Sequence, residues 1–193
     1  MGKRKKYSPN SKSSAQEKLL NQEFSDWTTL GSRLIAPVAS ANTGNHTSGV
    51  SLVMQLIEGA DNSPHMLSKE LELLADSTIV FSVLARPSGR QFLGLWLRGP
   101  QQCDDMIEVF FDISKGLVTA RTQYGKGVLI NASIDLVSDG WVHCSIGGIP
   151  SPSGGFARAN ILVRNSFDGS SRYPGDDCSG ISLKAPTLHF NRE

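Results

Sequence analysis

Residues 134–146 read Ile-Asp-Leu-Val-Ser-Asp-Gly-Trp-Val-His-Cys-Ser-Ile, with an Asp-Gly pair between two runs of strand-forming residues. Asp139 and Gly140 can adopt the positive φ angles of a tight primed turn. Beyond the turn, Val142, Cys144 and Ile146 occupy every second position, which is the pattern of a half-buried strand. The stretch therefore predicts a β-hairpin whose second strand packs in a core.

Length and composition favour one turn-rich β domain. The chain has 193 residues, with 19 glycines, 9 prolines, a hydrophobic fraction of 39% and a charged fraction of 19%. A chain of this length can form one domain with a sizeable core and is short for two. Many turn residues and few charges are typical of all-β proteins rather than of helical bundles or disordered chains.

The same alternation recurs along most of the chain. Residues 91–98 form a clear strand, with Leu93, Leu95 and Leu97 on one face. Residues 67–74 fit a helix and a strand nearly equally, and the short window between two predicted strands favours a strand. In total, roughly nine or ten short strands predict an all-β jelly roll, a sandwich of two antiparallel sheets.

A basic N-terminal arm, residues 1–18, precedes the predicted domain of residues 19–193. Four of its basic residues are consecutive: Lys3, Arg4, Lys5 and Lys6. The arm has a net charge of +5, and the remaining residues have a net charge of −4. With almost no apolar side chains, the arm cannot fold alone. We expect it to dock on a partner subunit; neutralisation of nucleic-acid phosphates, without sequence recognition, and a solvated tail are the alternatives.

The sequence predicts a protein that stays in the cytosol with reduced thiols. No apolar stretch follows the basic residues, so we expect no secretory signal and no membrane span. The three cysteines, Cys103, Cys144 and Cys178, cannot all pair, and their spacing matches no metal or redox motif. Free thiols are therefore expected.

Four motifs follow one another along the chain: Phe81-Ser-Val-Leu-Ala-Arg86, Phe111-Asp-Ile-Ser-Lys-Gly116, Asp139-Gly-Trp-Val-His-Cys144 and Tyr173-Pro-Gly-Asp-Asp-Cys-Ser-Gly-Ile181. In this order they resemble the carbohydrate-binding-module-like jelly rolls of bacteriophage tail fibre, spike and head-decoration proteins. Leu19, Leu20 and the run Phe24-Ser-Asp-Trp27 resemble the usual start of such domains. The resemblance thus covers residues 19–193 and implies a noncatalytic β-sandwich that either binds glycans or serves as a rigid building block.

From this resemblance we expect a structural virion protein of the capsid decoration (cement) or tail-fibre type. Its arm would bind other virion proteins, and it would form a homo-oligomer, with a trimer as one arrangement. The alternative is a carbohydrate-binding module that attaches to host-surface or other polysaccharides. We expect no enzyme activity, because the sequence shows no paired acids, no nucleophile with a base and no metal-ligand spacing. The expected location is the virion, after synthesis in the host cytoplasm.

The contact candidates lie on the face of the 91–98 strand opposite the leucines. Phe92, Trp96 and Arg98 alternate there, and Phe92 and Trp96 are close enough in a strand to form one aromatic surface. We expect this surface to contact a ligand or a partner; the alternative is a satellite cluster covered by loops. Trp27 and Trp141 are expected to pack within the fold.

We expect no cofactor. A structural calcium ion near the chain ends is the weaker alternative. Jelly rolls of the resembled kind often hold such an ion, and the available carboxylates are Glu23, Asp26, Asp176 and Asp177. Calcium needs about six to eight converging oxygen atoms, and residues 182–190 contribute no carboxylate. We therefore expect Asp176 and Asp177 to shape a turn through hydrogen bonds to the backbone.

Overall fold

The computed structural model describes residues 24–36, 53–100, 104–166 and 170–191. These ranges contain thirteen β-strands and no α-helix, and hence no helix long and apolar enough to cross a membrane. In chain order the strands are β1 (Thr28–Leu30), β2 (Ser32–Ile35), β3 (Met54–Glu58), β4 (Asn62–Leu73), β5 (Thr78–Ser88), β6 (Phe92–Arg98), β7 (Met106–Asp112), β8 (Leu117–Tyr124), β9 (Val128–Ser138), β10 (Trp141–Ile149), β11 (Gly155–Arg164), β12 (Arg172–Pro174) and β13 (Gly180–Asn191).

Two sheets form a sandwich, which confirms the predicted jelly-roll class. Sheet A has the order β1-β4-β11-β6-β7-β8, with β12 paired to β4 beside this path, and sheet B has the order β2-β3-β13-β5-β10-β9. All pairs between these strands are antiparallel. Several neighbours in a sheet, such as β4 and β11, are distant in sequence, because the chain passes to the other sheet and back between them.

The structure has more strands than the sequence predicts, because three of them are very short. β1 and β12 have three residues each and β2 has four, which is too few for an alternation of apolar and polar residues to be recognised. The ambiguous window 67–74 lies almost entirely in β4, so the strand alternative is correct. Leu67, Leu71 and Leu73 are all buried.

The core lies between the two sheets. Leu93, Leu95 and Leu97 of β6 are fully buried, as their alternation predicts. Each side chain of this size contributes about 1.5–3 kcal/mol when it leaves water. Trp27 is also buried and stacks on Phe81 of sheet B, with the ring centroids 6.0 Å apart. Its expected packing role is therefore confirmed.

The predicted hairpin joins β9 to β10. Asp139 and Gly140 have φ angles of 52° and 74°, and a type I′ turn requires positive φ at both central positions. Val142, Cys144 and Ile146 are buried in the core cluster. The hairpin and the inward face of its second strand are thus as the sequence predicts.

Trp141 packs on the outer face of sheet B. It is buried although it alternates with the core residues of β10. The Lys184 ammonium nitrogen lies 4.1 Å from its ring centroid, and the Arg86 guanidinium carbon lies 4.9 Å from it. Two cationic side chains therefore cover this ring, which confirms packing rather than ligand contact at Trp141.

Candidate functional site

A groove runs across the outer face of sheet A, opposite the leucines of β6. Its volume is about 1280 Å³. Side chains from β4, β11, β6 and β7 line it, together with residues of β1, β8 and β12 at its ends. The lining residues that matter most are Ser68, Glu70, Trp96, Arg98, Met106, Tyr124, Arg158 and Asn160.

One row of in-register side chains crosses sheet A, and its part from Thr28 to Trp96 lines the groove. Trp96 of β6 pairs with Asn160 of β11 on one side and with Glu108 of β7 on the other. Trp96 is the aromatic ring of the row, and the other members carry hydroxyl, amide or carboxyl groups. From β1 to β8 the row consists of Thr28, Ser68, Asn160, Trp96, Glu108 and Thr122.

Two buried polar atoms beside the groove lack hydrogen bonds. Trp96 Nε1 and Glu108 Oε1 have no hydrogen-bond partner among the described residues. Burial raises the pKa of Glu108 to about 7, while the charge of Arg164 and the nearby Trp96 indole, which does not reach hydrogen-bond geometry, limit this rise. The middle of the row thus retains unsatisfied hydrogen-bonding capacity.

The next row along the sheet is charged. Arg98 of β6 pairs in register with Arg158 of β11, and Arg158 Nη2 donates a hydrogen bond to Glu70 Oε1 at 3.0 Å. On the other side of Arg98 the row continues through Met106 to Tyr124, which is 48% exposed. Cationic groups and a second aromatic ring therefore lie one row away from Trp96.

The fold of the chain is similar to that of several solved structures. TmCBM61 in complex with β-1,4-galactotriose is 12% identical, with 90% of this chain and 94% of that chain covered and a TM-score of 0.47. Tailspike protein 4 of bacteriophage CBA120, in its enzymatically active domain, is 11% identical, with 87% and 20% covered and a TM-score of 0.43. The CBM22-1–GH10 modules of Clostridium thermocellum endo-1,4-β-D-xylanase 10B, complexed with xylohexaose, are 14% identical, with 88% and 27% covered and a TM-score of 0.47.

These similarities concern the arrangement of strands alone. No family model and no curated protein matches the sequence. The chain spans only a fifth of the tailspike structure, at 20%, and about a quarter of the xylanase structure, at 27%. Carbohydrate-binding modules and a phage tailspike domain are thus among the structures that resemble it, and a phage origin stays a prediction.

Of the three predicted contact residues, Trp96 and Arg98 line the groove and Phe92 does not. Phe92 lines a separate, smaller depression. Gly94 lies between Phe92 and Trp96 on this face, and the Phe110 ring packs over it so closely that a Cβ atom on Gly94 would lie 3.3 Å from Phe110 Cε1. The structure therefore brings together two of the three residues on one surface.

The acidic turn near the C-terminus is held by hydrogen bonds from its own segment. Asp176 Oδ1 accepts hydrogen bonds from the backbone N–H groups of Ser179 at 2.6 Å and Cys178 at 3.0 Å, and Oδ2 accepts one from the Ser179 hydroxyl at 2.7 Å. These bonds, the Ser179 hydroxyl first, hold the pKa of Asp176 well below its usual range. The expected hydrogen bonds to the backbone are thus confirmed for Asp176. Asp177 adopts a φ of 60° in the same turn, and its carboxylate accepts a hydrogen bond from Arg33 instead.

The calcium candidates contact different parts of the molecule. Asp26 pairs with Lys69 at 3.5 Å on the edge of the groove, whereas Asp177 pairs with Arg33 at 3.3 Å. Glu23 lies outside the described residues. Within residues 24–36, 53–100, 104–166 and 170–191, no cluster of three or more His, Cys, Asp or Glu side chains is placed to hold a metal ion.

Glu58 anchors a buried network that the sequence does not indicate. Its carboxylate accepts hydrogen bonds from the Tyr173 hydroxyl at 2.7 Å, from Arg90 Nε at 2.9 Å and from the Asp176 backbone N–H at 3.0 Å. Arg90 Nη2 donates a further bond to it. Burial, followed by the contact with Glu58, raises the pKa of Tyr173. This network fixes the Tyr173 to Asp176 segment against β3.

The sequence analysis also missed Asn160, Tyr124 and Arg158 as groove residues, and Glu108 as the neighbour of Trp96. Alternation with the inward residues of β7 is a signal that could place Glu108 outside the core. The sequence carries no such signal for the pairing of β6 with β11 and β7. Lys3, Arg4, Lys5 and Lys6 lie outside the described residues, so docking of the arm stays a prediction.

Proposed function

We propose that the chain is a noncatalytic glycan-binding module whose groove on sheet A holds a polysaccharide. The observation that carries this proposal is Trp96 on the groove floor, in register beside polar residues that line the same groove. A sugar ring has apolar faces and a rim of hydroxyl groups, so its site needs an aromatic ring with hydrogen-bonding groups beside it. Asn160, the neighbour of Trp96 on β11, and Ser68, the next residue of the row, line the groove and supply such groups.

The size of the groove supports a chain of several sugars rather than one. Its volume of about 1280 Å³ exceeds the roughly 300–1,000 Å³ of ordinary small-molecule pockets. The groove also crosses the sheet from β1 to β8, and Tyr124 at the β8 end adds a second exposed ring. Two rings on one floor can stack against different sugar units of the same polysaccharide.

The structural virion role stays a prediction, because it depends on residues 1–18 and on partners. The same holds for the homo-oligomer and for the location in a particle. Glycan binding is the alternative that the geometry of sheet A favours.

Glycan binding can be tested with the full chain on a glycan array, followed by calorimetric titration of the best polysaccharide. We expect saturable binding that Trp96→Ala weakens by about tenfold or more, because it removes the stacking ring. Tyr124→Ala should weaken binding less, since Tyr124 lies at the end of the groove. Phe190→Ala is the matched control, because Phe190 is a 47% exposed ring on sheet B.

Thermal unfolding of each variant separates a lost contact from a lost fold. The proposal is wrong if no polysaccharide on the array binds saturably. It is equally wrong if Trp96→Ala and Tyr124→Ala both fold normally and bind as tightly as the parent protein.

A further inference from the structure

The groove continues beyond the charged row into a second depression. This depression has a volume of about 980 Å³ and shares Glu70, Arg98 and Arg158 with the groove. Phe156 lines its far part and is 73% exposed. The two arginines therefore lie at the junction of one long channel on the face of sheet A.

The spacing of the strand sets the geometry of this channel. Phe156, Arg158 and Asn160 are successive outward residues of β11, and Asn160 pairs with Trp96. Alternate residues of a strand are about 7 Å apart, so the Phe156 position and the Trp96 row lie about 13 Å apart along β11. The arginine row lies halfway between the two aromatic side chains.

Arg98 has unused binding capacity at this junction. Arg98 and Arg158 are directly opposed in register, and like charges in that position repel each other. Glu70 compensates Arg158 through a 3.0 Å contact, whereas the Arg98 side chain forms no hydrogen bond or ion pair with any residue that the structure describes. Among the acidic lining residues, Asp26 is paired with Lys69, and Asp104 is exposed.

We propose that this channel binds a negatively charged polysaccharide, with an acidic substituent held by Arg98 and Arg158 between sugar rings that contact Trp96 and Phe156. A planar guanidinium matches a carboxylate in a two-point contact and also pairs with a sulfate ester. This inference rests on the proposed function and adds the chemical class of the glycan. It assigns Arg98 as the residue that selects for charge.

The test compares polymers that differ in charge alone. Polygalacturonate and its carboxyl-reduced derivative share one backbone, and dextran sulfate and dextran provide the same comparison for sulfate. We expect at least one charged polymer to bind the full chain about tenfold or more tightly than its neutral counterpart. Arg98→Gln should abolish this preference, because it removes the unpaired guanidinium.

Arg121→Gln is the matched control, because Arg121 is an exposed arginine of β8 that lines neither depression. A preference lost in Arg98→Gln and kept in Arg121→Gln supports the inference, and the polymer that shows it distinguishes a carboxylate from a sulfate. Equal loss in both variants points to general charge attraction and overturns it.

Two further outcomes separate this inference from glycan binding itself. Tight, Trp96-dependent binding of neutral polysaccharides with no change in Arg98→Gln overturns the charge selection and leaves the glycan-binding proposal intact. Absence of binding to charged and neutral polymers alike overturns both.

Discussion

Replacing Glu108 with Gln should make the free energy of unfolding less dependent on pH. Glu108 is 6% exposed, and burial raises its pKa from 4.5 to about 7. An acid whose pKa is raised on folding stabilises the fold in its protonated form. This stability is fully present below pH 4.5 and is lost as the pH rises through about 7. Glutamine keeps the shape of the protonated acid without its charge.

The size of the effect follows from the two pKa values. Each unit of difference between the pKa values of the folded and unfolded states is worth about 1.4 kcal/mol. Full ionisation of Glu108 therefore costs the folded state roughly 3 kcal/mol. Most of this cost develops between pH 5 and pH 8. Over that range the stability of Glu108→Gln relative to the parent protein should rise by roughly 2 kcal/mol.

Urea unfolding followed by circular dichroism at pH 5, 6, 7 and 8 measures this difference directly. Glu72→Gln, which changes an exposed carboxylate of β4 in the same sheet, is the matched control. If the difference in free energy of unfolding between Glu108→Gln and the parent protein does not vary with pH, the pKa of Glu108 is not raised on folding. A variant that becomes relatively less stable as the pH rises would show instead that Arg164 stabilises the ionised carboxylate.

Three further substitutions test the fold around the groove. Tyr173→Phe removes the 2.7 Å hydrogen bond to buried Glu58 and should lower the free energy of unfolding by about 1.5–3 kcal/mol in chemical denaturation; an unchanged value would mean that water replaces the hydroxyl. Gly140→Ala meets no atom closer than 3.7 Å, so only its positive φ opposes the change, and we expect a loss of roughly 1–2 kcal/mol, visible as a lower melting temperature. Gly94→Val pushes against Phe110 and should cost about 1–3 kcal/mol; unaltered thermal unfolding would contradict the close packing of that ring.

The alternation of residues along single strands predicts much of this molecule. The leucines of β6 identify the core face, and their absence from the other face is enough to indicate Trp96 and Arg98 as contact candidates. Alternation cannot predict which strands are neighbours, because register and long-range pairing leave no local pattern. Asn160 and Glu108 therefore emerge as neighbours of Trp96 only when β11 and β7 are placed beside β6.

Glu58 shows the same limit for buried polar groups. It ends a short strand, and its partners Arg90 and Tyr173 are 32 and 115 residues away. A lone acid at a strand end resembles a surface residue in the sequence, since burial of a carboxylate depends on partners that fold next to it. The basic arm is the opposite case. Its composition makes it easy to identify in the sequence, but its role stays a prediction.

The place of β13 in sheet B sets an order of events during synthesis. β13 lies between β3 and β5, yet it is the last of the thirteen strands to leave the ribosome. From the end of β3 to the start of β13, translation takes on the order of 6–24 s at about 5–20 residues per second. Until β13 emerges, the edge of β3 and, once it is made, the facing edge of β5 lack their partner strand. A nascent chain of this protein must therefore wait, exposed to chaperones and to other unpaired edges, before its second sheet can close.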